Sequence, residues 1–372
     1  MSVYRLDSGE LNRLLEALRS AGWDVVGPKA RDGTIIFDTV NSAEEFPVGL
    51  TDVHSQGAYR LEAHGGPTYF GYNTGPVSLK RFLFPPSSLL FRSRRQHGRF
   101  VVEGLPEEPK PVAVVGARAC DLAAMAIQDR VFLGDSHRDE AYAKRRDKLF
   151  IVAVNCASAG HNCFCTSMET GPEVKEHFDI LLTEVAGPDH HYFLMHGAAG
   201  RGAALASSLA APVATDGELA AGRAVVENAK ATVTKRMDTR GVKQLLYHCA
   251  ESAHWDDVAK RCLACTNCTM VCPTCFCSTV VDSTDLAGAT AERTRVWDSC
   301  FTTEYSSMHG GAVRESTAAR YRQWITHKLA GWQDQFGMSG CVGCGRCITW
   351  CPVGIDITEE VTGLRVLTET SV

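Results

Sequence analysis

Two cysteine runs with the same spacing constrain this chain more than any other feature. The first begins at Cys262 and the second at Cys341, and each reads C-x2-C-x2-C-x3-C-P. In this spacing three thiolates wrap one loop around a [4Fe-4S] cluster, and in two-cluster proteins the fourth ligates the other cluster. A structural zinc site usually takes two cysteine pairs separated by a longer spacer. The sequence therefore predicts two [4Fe-4S] clusters, with structural zinc or free thiols as the alternative.

The two-cluster rule also assigns the cysteines, because the last cysteine of each run crosses to the cluster of the other run. Cys275 follows Cys272 by three residues and is an alternative ligand in its place. Iron is thus expected on eight thiolates, which are Cys262, Cys265, Cys268 and Cys351 for cluster 1, and Cys341, Cys344, Cys347 and Cys272 for cluster 2.

The bulk composition describes an ordinary soluble protein. The chain has 372 residues, of which 45% are hydrophobic and 22% charged, so it can bury the cores of two or three domains. Its net charge of -5 gives no argument for nucleic acid. No apolar run reaches the roughly 18 residues that span a bilayer, and the amino terminus lacks a signal-peptide pattern. Because the 16 cysteines cluster at metal spacing, we expect a cytoplasmic protein without membrane insertion.

The first part of the chain reads as an α/β fold. Residues 111–116 and 149–154 are apolar and β-branched, as in buried parallel strands, and a helix capped by Asp121 lies between them. This order predicts a βαβ unit with the two strands as parallel neighbours. Residues 178–185 and 191–195 flank a Gly-Pro-Asp turn and predict a hairpin.

The second part of the chain is cysteine-rich from about residue 245. A long connection separates the two runs, and residues 316–329 within it have a helical pattern. We therefore predict an α/β domain with a mixed sheet and a βαβ unit over residues 1–245, suited to partner docking. An α-helical dicluster ferredoxin domain is predicted over residues 246–372.

Four further cysteines follow the two buried strands. Cys120 lies just past the first strand, Cys156 just past the second, and Cys163 and Cys165 on the loop that continues from it. Ligands in open α/β sheets bind at the carboxyl edge of parallel strands. The four thiols are therefore candidates for a third [4Fe-4S] cluster or a tetrahedral zinc, while the remaining alternative is that they are buried free thiols.

The remaining chemistry-bearing residues give weaker signals. No G-x-G-x-x-G or P-loop follows a strand, and no titratable pair stands at catalytic spacing, so we predict no catalytic residue and no nucleotide site in this chain. Arg346, inside the second run, could raise the potential of its cluster. Four cysteines are left as either another ligand set or structural thiols, namely Cys249, Cys275, Cys277 and Cys300.

Taken together, the motifs resemble the iron–sulfur beta subunit of cytosolic sulfhydrogenase-type nickel–iron hydrogenases and the related iron–sulfur subunit of anaerobic sulfite reductase. The segments that carry the resemblance extend along most of the chain. They are residues 116–122, 142–146, 163–165, 262–277, 297–300 and 341–347.

The resemblance implies a non-catalytic electron-transfer subunit of an oxidoreductase complex. Its expected partners are a flavin subunit that carries FAD and binds NAD(P)H, the small iron–sulfur subunit of a hydrogenase, and the catalytic nickel–iron subunit. Two alternatives remain open from the sequence. One is the equivalent subunit of an anaerobic sulfite or other sulfur-compound reductase, and the other is a stand-alone catalytic iron–sulfur oxidoreductase.

Overall fold

The computed structural model describes residues 2–103, 108–134 and 137–370, except for the side chains of residues 369 and 370. Its strands are β1 (Val3–Asp7), β2 (Asp24–Arg31), β3 (Thr34–Thr39), β4 (Leu50–Ser55), β5 (Ala58–Ala63), β6 (Ser87–Gln96), β7 (Arg99–Glu103), β8 (Val112–Ala117), β9 (Leu149–Val154), β10 (Ile180–Ala186), β11 (His191–Gly197), β12 (Ser278–Thr284), β13 (Thr290–Trp297), β14 (Ser307–Met308) and β15 (Gly311–Ala312).

Helices cover the sheets and enclose the cysteine runs. They are α1 (Leu11–Ser20), α2 (Lys80–Leu83), α3 (Ala119–Phe132), α4 (Glu140–Asp147), α5 (Arg201–Ser208), α6 (Asp216–Thr232), α7 (Val242–His248), α8 (His254–Arg261), α9 (Asn267–Met270), α10 (Thr317–Thr326), α11 (Trp332–Phe336), α12 (Arg346–Thr349) and α13 (Ile357–Thr370), with a π-helical turn over His327–Gly331.

A seven-stranded mixed sheet forms the centre of the first part, in the order β1-β11-β10-β9-β8-β2-β3. Strand β8 pairs in parallel with both β9 and β2, and β10 pairs in parallel with β9. The remaining pairs of this sheet, β1–β11, β10–β11 and β2–β3, are antiparallel. The predicted parallel pair with a helical crossover is therefore present as β8–α3–α4–β9, with a second helix in the connection, and the predicted hairpin as β10–β11.

Both faces of the central strands are buried, as parallel strands under helices require. Every residue of β9 is buried, and successive side chains enter different cores. Phe150 packs in the core that contains the leucines of α1, whereas Ile151 packs with α3 and α4 on the other face. The α1 leucines recur at the spacing of a single helix face and are fully buried, so their packing fixes α1 against the sheet.

Helix α3 begins two residues before the predicted cap. Arg118 occupies the N-cap position, and Asp121 lies three residues on, where its carboxylate accepts a hydrogen bond from the Arg118 backbone N–H at 3.2 Å. An acidic side chain at this third position satisfies the N-cap amide instead of serving as the cap. Cys120 thus lies in the first turn of α3, at the carboxyl edge of the sheet.

The second sheet joins distant parts of the chain, in the order β12-β13-β6-β7. The β12–β13 hairpin lies between the two cysteine runs in sequence, and β13 pairs antiparallel with β6. Backbone ladder hydrogen bonds therefore connect the segments before and after residue 245. The division into domains at residues 245 and 246 stays a prediction.

Helices α7, α8, α10 and α13 share a core next to the first cysteine run. Its buried members include Leu246 of α7, Trp255 of α8, Ile325 of α10 and Leu364 of α13. Ile348 of α12 joins the same core. Both cysteine runs are therefore held against one apolar core. Among the described residues, no helix has the length and apolar composition to cross a membrane.

Candidate metal centre

The two cysteine runs fold into the same loop. At equivalent positions the backbone takes a left-handed conformation, with φ of 49° at Ala264 and 69° at Thr266 in the first run, and 63° at Gly343 and 73° at Gly345 in the second. A left-handed conformation is unusual for alanine and threonine and marks local strain, which tends to occur at functional sites. The shared spacing therefore produces a shared backbone path.

Backbone amides point at the first sulfur of each loop. The N–H of Ala264 donates to Cys262 Sγ at 3.4 Å, and the N–H of Gly343 donates to Cys341 Sγ at the same distance. Hydrogen bonds from amides to sulfur stabilise a thiolate and tune a cluster bound through it. Both loops are thus built to hold negatively charged sulfur.

The first run encloses a cavity with thiols on its wall. Cys265 is exposed, so this cavity lies near the surface. The four predicted ligands of cluster 1 meet there, together with one cysteine predicted for cluster 2. The cysteines of the wall are Cys262, Cys265, Cys268, Cys347 and Cys351.

Two aromatic side chains of α10 line the same cavity and carry buried donors without a partner among the described residues. Tyr321 is 2% exposed and Trp324 is 5% exposed, and both the Tyr321 hydroxyl and the Trp324 Nε1 lack a hydrogen-bond partner. A buried unpaired donor costs free energy unless something accepts from it. The sulfurs of a cluster would be such acceptors, so the cavity fits an iron–sulfur cluster.

The second run gathers around Cys272 of the first. Burial raises the pKa of Cys341 to about 12, and it also raises the pKa of Cys344 and Cys347. The charge of nearby Cys272 acts in the same direction on all three thiols. The four predicted ligands of cluster 2 are therefore electrostatic neighbours. The thiols of Cys341, Cys344 and Cys347 need a cation such as iron to become deprotonated.

Cys272 differs from these three cysteines because partners hold its sulfur. A hydrogen bond from the Cys275 thiol lowers its pKa well below the usual value, and the nearby Lys328 ammonium adds to this effect. Lys328 Nζ donates to Cys272 Sγ at 3.3 Å. Burial alone would lower the pKa of Lys328, but the surrounding sulfurs outweigh burial and raise it well above the usual value. This lysine was not identified from the sequence, since a lysine within a helical pattern gives no signal of burial.

The cysteines at the sheet edge also meet in one cavity. Its wall contains Cys344 of the second run as well as the four thiols in question. Those four, the predicted ligands of a third cluster, are Cys120, Cys156, Cys163 and Cys165.

Burial dominates the electrostatics of this third group. It raises the pKa of Cys120 and Cys163 well above the usual value, and that of Cys165 to about 12. Neighbouring carboxylate or thiolate charge raises these values further, for example Asp121 beside Cys120. Without a bound cation the thiols are therefore neutral, and loading iron would release their protons.

The third group and the second run are in direct backbone contact. The N–H of Phe164 donates to the carbonyl of Gly343 at 2.8 Å. A Cβ at Gly345 would lie 2.3 Å from the carbonyl oxygen of Asn162, and one at Gly343 would lie 2.7 Å from Phe164 backbone atoms. Both positions therefore require glycine, because any side chain would force the two loops apart.

A buried ion pair links the second run to the sheet edge. Arg346 Nη2 donates to Asp121 Oδ1 at 2.8 Å, and both side chains are 1% exposed. Arg346 Nε donates to the carbonyl of Gly75 at 2.9 Å. Asp121 adjoins Cys120 and Arg346 adjoins Cys347, so the pair fixes the third group relative to the second run.

The remaining cysteines fall into two places. Cys275 lies beside Lys328. Cys277 lies beside Cys300, and a hydrogen bond from the Cys300 thiol lowers the pKa of Cys277 to about 6. Cys249 lies elsewhere, with Sγ 3.6 Å from Thr368 Oγ1. For these four, another ligand set and structural thiols stay alternative predictions.

The thiols of cluster 1 and those at the sheet edge each line one cavity, and none of the described cavities contains all four predicted ligands of cluster 2. Among the described residues, no three or more His, Cys, Asp or Glu side chains form a group that could hold a metal ion. Ligands of one tetrahedral zinc lie about 3.8 Å apart at a zinc–sulfur distance of about 2.3 Å. A [4Fe-4S] cluster places each cysteine on a different iron, which suits thiols spread around a cavity.

Comparison with known proteins gives one family match and one similar protein along the chain. Residues 261–355 match the family described as a 4Fe-4S dicluster domain. The chain is 28% identical to sulfhydrogenase 2 subunit beta of Pyrococcus furiosus over 373 aligned positions, which cover 98% of this chain and 99% of that protein. No solved structure matches the chain. The predicted resemblance is thus confirmed: the chain carries a 4Fe-4S dicluster domain and is similar over nearly its whole length to a sulfhydrogenase beta subunit.

Proposed function

We propose that this chain is the electron-transfer iron–sulfur subunit of a multi-subunit oxidoreductase. It relays electrons between a flavin subunit, which carries FAD and binds NAD(P)H, and a nickel–iron hydrogenase module with its small iron–sulfur and catalytic subunits. Support comes from the dicluster domain and from a relative, named as a sulfhydrogenase subunit, that aligns along the full chain. The chain itself performs no bond chemistry on substrate in this proposal.

The proposed ligand sets follow the three groups of thiols. When bound, [4Fe-4S] clusters accept and release single electrons. We assign the dicluster domain to the α-helical ferredoxin type, and the β12–β13 hairpin between the two runs is an insertion in it. Cluster 1 takes Cys262, Cys265, Cys268 and Cys351, cluster 2 takes Cys341, Cys344, Cys347 and Cys272, and cluster 3 takes Cys120, Cys156, Cys163 and Cys165.

One observation carries the relay proposal: the second run adjoins both other groups. Cys347 lines the cavity of the first run, and Cys344 lines the cavity at the sheet edge. A path through the chain therefore runs from the exposed Cys265 through the second run to Cys120 on α3. Electrons entering at either end would pass the ligands of cluster 2.

Replacement of Cys344 by alanine tests the relay in the assembled complex. We expect Cys344→Ala to abolish NAD(P)H-linked turnover, because the substitution removes a ligand at the junction of the path. Hydrogen oxidation with an artificial dye should survive, since the dye takes electrons from the catalytic module directly. Retained NAD(P)H-linked turnover would contradict the proposal.

A matched control separates this effect from general damage. Cys249 is also buried, at 8% exposure, but lies outside all three groups. Cys249→Ala should therefore retain both NAD(P)H-linked and dye-linked activity. Both variants are compared by subunit composition after purification, so that loss of turnover is not confused with loss of assembly.

A further inference from the structure

We infer that Lys328 is a positioning residue for cluster 2 and holds its reduction potential above the value that the thiolates alone would give. The inference rests on the proposed function, because it takes Cys272 as a ligand of that cluster. Lys328 is 5% exposed and lies in the π-helical turn His327–Gly331 that follows α10. Such turns interrupt α-helices frequently at functional sites.

The Lys328 ammonium is bound entirely by groups around the second cluster. Its Nζ donates to Cys272 Sγ at 3.3 Å, to Thr274 Oγ1 at 2.9 Å and to the carbonyl of Gly340 at 3.1 Å, and lies 3.7 Å from Cys275 Sγ. None of these partners is a carboxylate. A buried ammonium without a carboxylate is costly, so its compensating negative charge must come from sulfur.

Lys328 also connects the two runs that share cluster 2. Its carbonyl accepts a hydrogen bond from the N–H of Gly340 at 2.8 Å, while its Nζ donates to the carbonyl of the same residue. Gly340 directly precedes Cys341, the first cysteine of the second run. The side chain thus reaches from Cys272 of the first run to the start of the second and fixes their separation.

A positive charge against a ligand sulfur favours the reduced cluster, because reduction adds negative charge to it. Hydrogen bonds to ligand sulfurs and net charge are among the factors that set cluster potentials. Lys80 offers an internal comparison, since it is also buried, at 4% exposure. Its Nζ donates to the carbonyl of Met270 at 3.1 Å and lies 3.9 Å from the ring centroid of Trp297. Lys80 can therefore change the cluster potential only through its charge, because it donates no hydrogen bond to a ligand sulfur.

The test is an EPR-monitored redox titration of the assembled complex. We expect Lys328→Met to lower the reduction potential of one cluster. At fixed solution potential the reduced-to-oxidised ratio of that cluster should fall at least tenfold, which corresponds to 59 mV for one electron. Lys328→Arg, which keeps the charge, should change that ratio less than threefold. Lys80→Met should have a smaller effect than Lys328→Met, and Lys260→Met, at the surface, should have none.

A second measurement does not depend on whether Lys328→Met folds. With ¹⁵N-labelled lysine, pulsed EPR of the reduced wild-type complex should show weak ¹⁵N coupling to one cluster. The coupling should persist in Lys80→Met and disappear in Lys328→Arg.

Two results would overturn the inference while leaving the proposed function intact. They are unchanged cluster potentials in an iron-replete Lys328→Met variant, and absence of the ¹⁵N coupling in the wild type. A wild-type chain without reducible clusters would instead overturn the proposed function, and this inference with it.

Discussion

The two cysteine runs have the same spacing and the same backbone path but opposite surroundings. In the first run Leu263 is 64% exposed and Cys265 is exposed, whereas the equivalent Val342 and Cys344 of the second run are 2% and 9% exposed. The cysteine spacing therefore determines the backbone path of each loop, whereas the contacts around the loop determine how exposed it is to solvent. The loop around Cys265 of the first run faces solvent, whereas the equivalent loop around Cys344 of the second run lies against the sheet edge.

The largest expected effect is a loss of iron, and it tests whether the second run is buried against another cluster. The double substitution Cys163→Ser with Cys165→Ser should remove about four irons per chain and leave about eight, because each [4Fe-4S] cluster contains four. Iron and acid-labile sulfide analysis after anaerobic purification measures this loss. Cys249→Ala is the control and should keep the wild-type content. An unchanged iron content in the double variant would mean that the sheet-edge thiols hold no cluster.

The next effect concerns the ion pair that only the second run makes. Asp121→Asn leaves the Arg346 charge buried and unpaired, so we expect the free energy of unfolding to fall by about 3–5 kcal/mol. Anaerobic guanidinium denaturation measures it. Asp257→Asn removes the exposed partner of Lys260 and should have a much smaller effect. Equal losses of unfolding free energy in the two variants would show that the buried ion pair stabilises the protein no more than the exposed one does.

A smaller effect comes from the close approach of the second run to Asn162. Gly345→Ala places a Cβ against the Asn162 carbonyl, whereas the equivalent Thr266 of the first run already carries a side chain in the same backbone conformation. We expect Gly345→Ala to lower the free energy of unfolding by about 1–3 kcal/mol more than Thr266→Ala does. The same denaturation experiment compares the two variants. Equal losses in the two variants would mean that the loop at Gly345 does not approach the Asn162 carbonyl as closely as the 2.3 Å Cβ distance implies.

The smallest effect is a difference in rate. Because Cys265 is exposed, oxidant with an iron chelator should extract the irons of cluster 1 before those of the buried sites. Time-resolved iron release, followed with EPR of the remaining clusters, measures the order. Simultaneous loss of iron from all clusters would contradict the difference in solvent access between the two runs.

Much of this arrangement follows from local sequence patterns. The spacing of the runs predicts their loops, and the βαβ pattern places Cys120 and Cys156 at the same sheet edge, where the structure finds them in one cavity with Cys163 and Cys165. Each of these inferences uses a period or a topology rule that acts within a short segment.

Other features depend on contacts between distant segments. The pairing of β13 with β6 has no local signature, because strand register is set by the partner strand. Lys328 is buried in a π-helical turn that begins within a segment predicted as continuous helix, and a lysine in such a pattern gives no signal of burial. The environment of the second run was therefore accessible only from the assembled fold.

Iron and acid-labile sulfide per chain, measured anaerobically with EPR of the reduced protein, test the central claim most directly. The account predicts about twelve irons and three interacting [4Fe-4S] clusters, with the second run between the other two. About eight irons would confine the clusters to the dicluster domain and contradict a relay that continues to the sheet edge.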